Sequence, residues 1–311
     1  MDIRTPSVCI NETAIDCSLN GNGWMTTSFT KDDLGRGFLG VLRKAASIGF
    51  VPTESKGMTR LEHSKMTFAL KHAEALFVEP IGRGVHRPYK IRLKTTAKQG
   101  LIDCSEVVLK TVHCQYETKR YCQSVDLRIT GPERELLAYD LDLAMGFDLV
   151  PPTVGRFVEQ LGFGSVQAWV RTPLAVDMVK SGEYDYKKHP ENPWLHRIAA
   201  FDFITGELDR HAANFLIDRE RRVYAIDNGY KFPRLGDRRY MKCNVGKRLI
   251  GVPVHPEVVD IVRRIDDEEV WKVLRNRGFT CGEEEGVMKR LEEMRRLTVW
   301  GVMGGLWKPD K

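Results

Sequence analysis

GELDRHAANFLID, residues 206–218, is the stretch that constrains this 311-residue chain most strongly. It places Asp209 and Asn214 on one short loop, and Asp227 follows at the end of the strand-like segment RRVYAID. A carboxylate, a carboxamide and a second carboxylate supply hard oxygen ligands, which suit Mg²⁺ held partly by the phosphates of a substrate. Catalytic loops of phosphoryl-transfer enzymes show the same interval from Asp to Asn, with a later metal-binding Asp. The spacing therefore predicts a phosphoryl-transfer site on two neighbouring loops.

Each of these residues has a simpler explanation when it is taken alone. An Asp and an Asn at this spacing occur by chance in many chains, and Asp227-Asn228-Gly229 is also a turn sequence. A single histidine such as His211 more often packs in a core or caps a helix than catalyses a reaction. The prediction therefore depends on further features and on their order along the chain.

The composition is that of a folded globular protein, with 42% apolar and 29% charged residues. The formal net charge of +6 favours anionic partners only weakly, and no zinc-finger or RNA-binding motif indicates nucleic acid. The seven cysteines are scattered without a C-x-x-C pair, so neither a disulfide framework nor a structural zinc is expected. Because we find no apolar signal core and no membrane-length apolar run, we expect a cytoplasmic protein without a membrane span.

Short runs rich in β-branched residues follow one another between residues 76 and 112 and predict an antiparallel sheet. The runs are ALFVEP, YKIRLKT and SEVVLKTV. Gly82 and Gly84 lie between the first two, where backbone N–H groups could approach the phosphates of a nucleotide. A plain hairpin turn is the simpler explanation of these two glycines.

A helix with well-marked ends is predicted over TGPERELLAYDLDLAMG. Thr130 is the predicted N-cap, Glu133 its capping-box partner and Gly146 the C-terminal stop. Lys110, at the end of the apolar run EVVLK, needs a counter-charge if it points inward. Because the capping box occupies Glu133, Glu135 is the predicted partner of Lys110. The alternatives are a lysine that marks the end of a strand and a solvated helix glutamate.

The chain divides into a β-rich half and a helix-rich half, which predicts an α+β protein with two lobes. Two further strands are expected in LVPPTVGRFV and GSVQAWV, and mostly helices from about residue 172 onward. We assign residues 1–75 to an N-terminal appendage of unknown role, residues 76–170 to a β-rich N-lobe and residues 171–311 to a helical C-lobe.

Four stretches carry a resemblance to a known superfamily: ERELLAYDLDLAMGFDLVPPTVGR, GSVQAWV, FDFITGELDRHAANFLID and VYAIDNGYKFP. With D-R-H-x-x-N and I-D-N-G, the chain resembles the atypical kinases related to phosphatidylinositol 3- and 4-kinases, which include HipA-like bacterial kinases and secretory-pathway kinases. The resemblance covers roughly residues 80–235. It implies a bilobal protein-kinase-like fold with ATP between a β-rich N-lobe and a helical C-lobe.

The resemblance also implies roles for the matching residues and a bound Mg²⁺ or Mn²⁺. Asn228 stands where common protein kinases have the phenylalanine of Asp-Phe-Gly, so the usual activation-loop switch is not expected. The residues implied are, for catalysis, Asp209, Arg210 and His211; for the nucleotide, Gly82, Gly84, Lys110, Glu135 and a hinge of Gln167, Ala168, Trp169 and Val170; and, for the metal, Asn214 and Asp227.

We therefore expect an ATP-dependent kinase that transfers the γ-phosphoryl group to a hydroxyl of a protein, with phosphoinositides or small molecules as other acceptors. The basic segment KFPRLGDRRYMKCNVGKR predicts an anionic acceptor, although a solvated basic face explains it equally. Two alternatives stay open: a nucleotide-binding pseudokinase without transfer activity, and a kinase-fold enzyme that transfers another group such as AMP.

Overall fold

Most of the chain belongs to one unit, Arg60–Lys311, and a smaller unit comprises Met1–Thr59. Gly82, Gly84 and residues 234–242 of the basic segment lie outside the part of the chain that the structure describes. The structure is a computed structural model, and the residues it describes are 8–11, 14–17, 27–29, 58–81, 88–111, 129–233, 243–279, 281–298 and 300.

The described part of the smaller unit is an antiparallel sheet of three short strands. Its strands, in spatial order, are β1 (Val8–Asn11), β2 (Ala14–Cys17) and β3 (Thr27–Phe29). All three lie within the predicted N-terminal appendage, whose role stays unassigned.

The larger unit begins with a helix and an antiparallel sheet. Its spatial strand order is β4-β5-β7-β9-β8, with β6 paired to β7, and every pairing is antiparallel, which confirms the predicted sheet. The elements, in chain order, are α1 (Arg60–His72), β4 (Ala75–Pro80), β5 (Tyr89–Leu93), β6 (Lys98–Gln99), β7 (Ile102–Thr111), α2 (Gly131–Met145), β8 (Thr153–Val158) and β9 (Gly162–Val170).

Helix α1 belongs to the larger unit, because it packs against β7, β8 and β9 and buries Met66 and Leu70. On β7, the buried Cys104 places its Sγ 3.6 Å from Sδ of Met66. The larger unit therefore starts at Arg60, whereas the sequence placed the end of the appendage at residue 75. An apolar helix face shows that a helix is buried but not which unit covers it.

Both ends of α2 are formed by the residues predicted for them. The Glu133 N–H donates to Thr130 Oγ1 at 3.3 Å and the Thr130 N–H donates to Glu133 Oε2 at 2.6 Å, which completes the capping box. Gly146 has φ 75°, a left-handed conformation that glycine adopts without a Cβ clash, and its N–H donates to the Asp142 carbonyl. The cap fixes where the helix begins and hence the face on which Glu135 lies.

Helices predominate in the second half of the larger unit, around one short hairpin. Helix α4 is apolar on nearly every side and forms the centre of the core, packed against α5, α6 and α8. None of the described helices is long and apolar enough to cross a membrane. The predicted α+β arrangement, a β-rich lobe followed by a helical lobe, is confirmed. The elements are α3 (Ala175–Ser181), α4 (Pro193–Thr205), β10 (Phe215–Ile217), β11 (Val223–Ala225), α5 (Asn244–Arg248), α6 (Pro256–Arg264), α7 (Asp267–Asn276) and α8 (Cys281–Arg296).

Trp300 packs on the helical lobe and hydrogen-bonds to α4. Its side chain is fully buried, and its indole N–H donates to His196 Nδ1 at 2.8 Å. His196 Nε2 lies 2.7 Å from the Pro190 carbonyl, so the neutral tautomer with the proton on Nε2 satisfies both contacts. Desolvation by burial lowers the pKa of His196, in keeping with that neutral form.

Candidate active site

The two predicted metal residues flank one hairpin. Asn214 precedes β10 and Asp227 comes shortly after β11. Because Phe215 pairs with Ala225, both residues lie at the open end of the hairpin. The Ile226 N–H donates to the Asn214 carbonyl at 3.1 Å, which extends the pairing by one step. Antiparallel pairing thus brings the two loops named by the sequence together.

Lys110, near the end of β7, contacts two carboxylates from distant parts of the chain. Its Nζ is within hydrogen-bond distance of Glu135 Oε1 on α2 and lies 2.9 Å from Asp227 Oδ1. Desolvation by burial opposes the charge, but the carboxylates of Asp227 and Glu135 outweigh it and raise the pKa of Lys110. The ion pair predicted between Lys110 and Glu135 is present, and the lysine is a charged ammonium.

Strand register decides which of the predicted hinge residues share the face of Lys110. Val108 and Lys110 lie on one face of β7, and Val108 is directly opposite Gln167 on β9. Because side chains alternate along a strand, Gln167 and Trp169 lie on the face of Lys110. All four predicted hinge residues lie inside β9 rather than in the connection that follows it. The two on the opposite face, both buried, are Ala168 and Val170.

A groove of about 280 Å³ opens on the same face of the sheet. Across it, Lys90 Nζ lies 2.9 Å from Glu106 Oε1 and 4.8 Å from the centre of the Trp169 ring. Glu106 and Lys110 are four residues apart on β7, which corresponds to about 13 Å along a strand. The groove therefore continues the Lys110 face toward the start of β7. Its lining residues are Phe77, Glu79, Lys90, Arg92 and Glu106.

Asp209 and His211 lie at the surface of their loop, with side chains 44% and 47% exposed. The backbone of Asp209 is held on both sides, because its N–H donates to Glu207 Oε1 at 2.8 Å and its carbonyl accepts from Asn214 Nδ2 at 3.0 Å. His211 Nδ1 accepts from the Ala213 N–H at 3.2 Å, which leaves the ring proton on Nε2, 3.8 Å from Asp209 Oδ2. A fixed backbone thus presents an exposed carboxylate beside Asn214.

Arg210 points the opposite way, and its side chain is 0% exposed. Its Nε donates to Asp202 Oδ2 at 3.0 Å, and its Nη1 donates to the carbonyls of Asn214 and Ile226, the latter at 2.6 Å. Burial opposes the charge, but the carboxylates of Asp202 and Glu207 outweigh it and raise the pKa of Arg210. Arg210, which the resemblance places among the catalytic residues, is thus removed from contact with any substrate. It joins residues 209–214, the predicted catalytic loop, to Ile226, which precedes the predicted metal residue Asp227.

A second buried cation, Lys231, shares these carboxylates with Arg210. Its Nζ lies 2.7 Å from Asp202 Oδ1 and 3.0 Å from Glu207 Oε2. Burial alone raises the pKa of Asp202, but Arg210 and Lys231 outweigh that effect and lower it. The sequence counts Lys231 in the basic segment, and its burial removes it from any acceptor-facing surface. The signal that was missed is Asp202 itself, a charge between two phenylalanines on an apolar helix.

The donor set at the open end of the hairpin fits a shared metal rather than a metal held by protein alone. The described part of the chain contains no group of three His, Cys, Asp or Glu side chains able to hold a metal ion. Asn214 and Asp227 supply two oxygen ligands, and Asn214 uses Nδ2 toward Asp209, so Oδ1 is its remaining polar atom. Two such ligands suit Mg²⁺ or Mn²⁺ that completes its coordination with phosphates and water.

No protein-family model matches the chain. Protein Rv2133c of Mycobacterium tuberculosis is 25% identical over 171 residues, an alignment that covers 44% of this chain and 60% of that protein. The chain therefore spans less than two thirds of the curated relative it matches.

Three solved structures that superpose on the chain are kinases with low sequence identity. CtkA, a proinflammatory kinase of Helicobacter pylori, matches with a TM-score of 0.44 and 14% identity over 74% of this chain and 94% of that chain. The Golgi casein kinase matches with a TM-score of 0.47 and 12% identity over 78% of this chain and 74% of its own. The same kinase with Mn/ADP bound gives 0.48 and 12%, over 75% and 74%. At this level of similarity the superpositions indicate neither the reaction nor the substrate of this chain.

Proposed function

We propose that this chain is an ATP-dependent kinase that uses Mg²⁺ or Mn²⁺ and transfers the γ-phosphoryl group to a hydroxyl, with a protein as the preferred acceptor. The observation that carries the proposal is the contact of one ammonium, on Lys110, with both Glu135 and Asp227. These three residues come from a strand, a helix and a loop that are far apart in sequence. Lys231 also contacts two carboxylates, but its side chain is fully buried. Lys110 keeps 19% of its side chain exposed beside the 35% exposed Asp227, as a lysine that receives phosphates next to a metal carboxylate must.

Each loop residue has a task that its environment supports. The exposed carboxylate of Asp209 is placed to accept the proton of an acceptor hydroxyl or to orient that hydroxyl. Asn214 and Asp227 would hold the metal, which when bound neutralises phosphate charge in the transition state. Lys110 would contact the nucleotide phosphates from the side of the sheet. Fixed positions matter here because phosphoryl transfer depends mainly on alignment and electrostatic stabilisation.

The nucleotide base would lie on the face of the sheet that carries Lys110. Gln167 and Trp169 are on that face, and the groove beside Lys90 continues it. Gln167 is already oriented, because its Nε2 donates to Thr153 Oγ1 at 3.0 Å. We therefore propose that Gln167 and Trp169 contact the base through their side chains. Ala168 and Val170 would contribute backbone groups only.

The acceptor would approach next to the basic segment. This segment returns to the catalytic loop at Cys243, which forms a parallel bridge with Arg210, and the Asn244 N–H donates to the Arg210 carbonyl at 3.0 Å. Helix α5 begins there and carries Lys247 and Arg248 in its last turn. Cations on a helix that begins at this loop support an anionic acceptor, such as an acidic protein or a phosphoinositide headgroup.

The deciding experiment incubates the protein with ATP labelled at the γ- or the α-phosphate, alone and with cell extract, in Mg²⁺ or Mn²⁺. We expect γ-label in a protein product, and we expect Asp227→Ala and Asp209→Ala each to abolish turnover. Asp227→Ala should also weaken binding of Mn²⁺-ATP. Asp177→Ala, the same change at an exposed position of α3, is the matched control and should retain full activity.

The other outcomes separate the alternatives. Transfer of α-label indicates AMP transfer, and ATP binding without any labelled product indicates a pseudokinase. Full activity of Asp209→Ala would contradict the role of that carboxylate whatever the product.

A further inference from the structure

Asn228 is fully buried directly after the metal residue Asp227, and it joins two parts of the site. Its backbone N–H donates to Glu135 Oε1 at 2.9 Å, and its Nδ2 makes two longer contacts, 3.4 Å to the Ala225 carbonyl and 3.5 Å to Glu135 Oε2. Its Oδ1 accepts from Arg210 Nη2 at 2.7 Å. One side chain therefore links helix α2 to the catalytic loop.

The two neighbours of Asn228 have opposite hydrogen-bonding character. An arginine offers only donors, and an ionised carboxylate offers only acceptors. A side chain between Arg210 and Glu135 must therefore accept at one end and donate at the other. A carboxamide does both, whereas an aspartate would accept at both ends and a leucine would do neither. The polarity of the site thus specifies asparagine.

The link continues beyond these neighbours in both directions. Glu135 also binds Lys110, so the strand side of the site is connected through it. Arg210 also binds Asp202 on α4 and the backbone of Asn214, so the helical side is connected as well. The side chain of Asn228 contacts both Glu135 and Arg210 and so joins these two sets of contacts.

We propose that Asn228 is a positioning residue that fixes helix α2 against the catalytic loop and so sets the spacing of Lys110, Asp227 and Asn214. This role rests on the proposed kinase function. Because Asn228 is bonded at both ends and buried, it does not swing out as the phenylalanine after the metal aspartate does in common protein kinases. The active arrangement of α2 is therefore built into the resting fold.

A compensating pair of substitutions tests this donor and acceptor pattern. Asn228→Asp sets a carboxylate against Glu135, and we expect kcat to fall about tenfold or more, with the KM for the acceptor unchanged. In a Glu135→Gln background the new aspartate faces an amide donor instead. There, Asn228→Asp should cost less than about threefold relative to Glu135→Gln alone.

Two further variants serve as controls. Asn228→Leu lacks both polar ends and should lower kcat to a similar degree in the wild-type and the Glu135→Gln backgrounds. Asn276→Asp, the same substitution at the exposed end of α7, should leave kcat unchanged. Equal losses from Asn228→Asp in both backgrounds, or no loss in either, would overturn the proposal.

Urea unfolding separates this proposal from the proposed function, with the wild type, the two single variants Asn228→Asp and Glu135→Gln, and the double variant. If the wild-type chain turns over no ATP, the kinase proposal fails. The link that Asn228 makes between Glu135 and Arg210 is then tested by unfolding alone. We expect Asn228→Asp to shift the urea midpoint down more in the wild-type background than in the Glu135→Gln background. Purely additive shifts would show that the side chains of Asn228 and Glu135 are not coupled and would overturn the proposed link.

Discussion

Asp209, Arg210 and His211 are consecutive, but the outer two side chains are exposed and the middle one is buried among charged residues. Asp209 and His211 have nearly half of their side chains exposed, whereas Arg210 between them is sealed in the core with Asp202 and Lys231. The loop therefore has a chemical side and a structural side, which alternate from one residue to the next. The residues of one motif can therefore serve either the reaction or the stability of the fold. Measurements of turnover and of the free energy of unfolding should distinguish these two roles.

The largest expected effect comes from replacing Arg210, the residue of the three whose side chain is buried. Among the described residues, Arg210→Ala leaves Lys231 as the one cation beside Asp202 and Glu207, and breaking a buried pair of this kind costs about 3–5 kcal/mol. We expect the free energy of unfolding in urea to fall by that amount. Asp209→Ala, one residue earlier, should change it by less than about 0.5 kcal/mol while stopping turnover.

Two further variants sharpen the comparison. Arg210→Lys keeps the charge but not the planar set of donors, so most of the loss should remain. Arg263→Ala, at an exposed position of α6, is the matched control and should be nearly neutral. A loss of stability from Asp209→Ala as large as that from Arg210→Ala would contradict the division into two sides.

A second test contrasts two buried aspartates. Asp202 is bonded to two cations, and its pKa is lowered, whereas Asp142 on α2 pairs with no cation among the described residues. Burial raises the pKa of Asp142 to about 7, although the N–H groups of Leu149 and Val150 each donate to its Oδ2 at 2.9 Å. The folded state therefore binds a proton that the unfolded state releases between about pH 4 and pH 7.

Stability should accordingly fall as the pH rises through that range, by on the order of 3 kcal/mol from this group. Asp142→Asn has no proton to lose, so its free energy of unfolding should improve relative to wild type from pH 4 to pH 7 and then stay level. Urea unfolding at a series of pH values measures this difference. Asp260→Asn, at an exposed site of α6, should follow the wild type throughout.

The smallest expected effect concerns the start of α2. Thr130→Ala removes the side-chain acceptor of the capping box and should lower the free energy of unfolding by about 1 kcal/mol. Glu133→Gln keeps an acceptor for the Thr130 N–H and should be nearly neutral. Because the cap affects the stability of α2 rather than the reaction, neither variant should change the KM for ATP more than about twofold. A thermal melt and a rate assay on the same samples check both statements.

What the sequence could predict is local. The capping box needed only Thr130 and Glu133 three residues apart, and the partner of Lys110 followed by eliminating Glu133. The spacing of Asn214 and Asp227, with the strand-like RRVYAID ending at Asp227, predicted two neighbouring loops, and the structure adds the hairpin that joins them. Each of these depends on residues close in sequence or on a single strong charge rule.

What the sequence could not predict depends on which side of the chain faces inward. The resemblance placed Arg210 among the catalytic residues, and charge alone placed Lys231 in the basic segment. Arginine and lysine are rarely buried, and here Asp202 and Glu207 make the burial of both stable, Asp202 lying 29 residues before Lys231. The split of the predicted hinge, with Gln167 on one face and Ala168 on the other, required the register of β9 against β7. The strand register and the pairing of Lys231 with Asp202 are long-range, and local patterns do not encode them.

Asp202 also accepts from Cys243 Sγ at 3.4 Å, so one carboxylate ties down the residues on both sides of residues 234–242. Lys231 and Cys243 thus anchor both flanks of these residues to the core, and a chain between two fixed points tolerates changes of length at little cost. On the proposed function, exchanging residues 234–242 should therefore alter the choice of acceptor while the contacts of Lys110 with Glu135 and Asp227 persist.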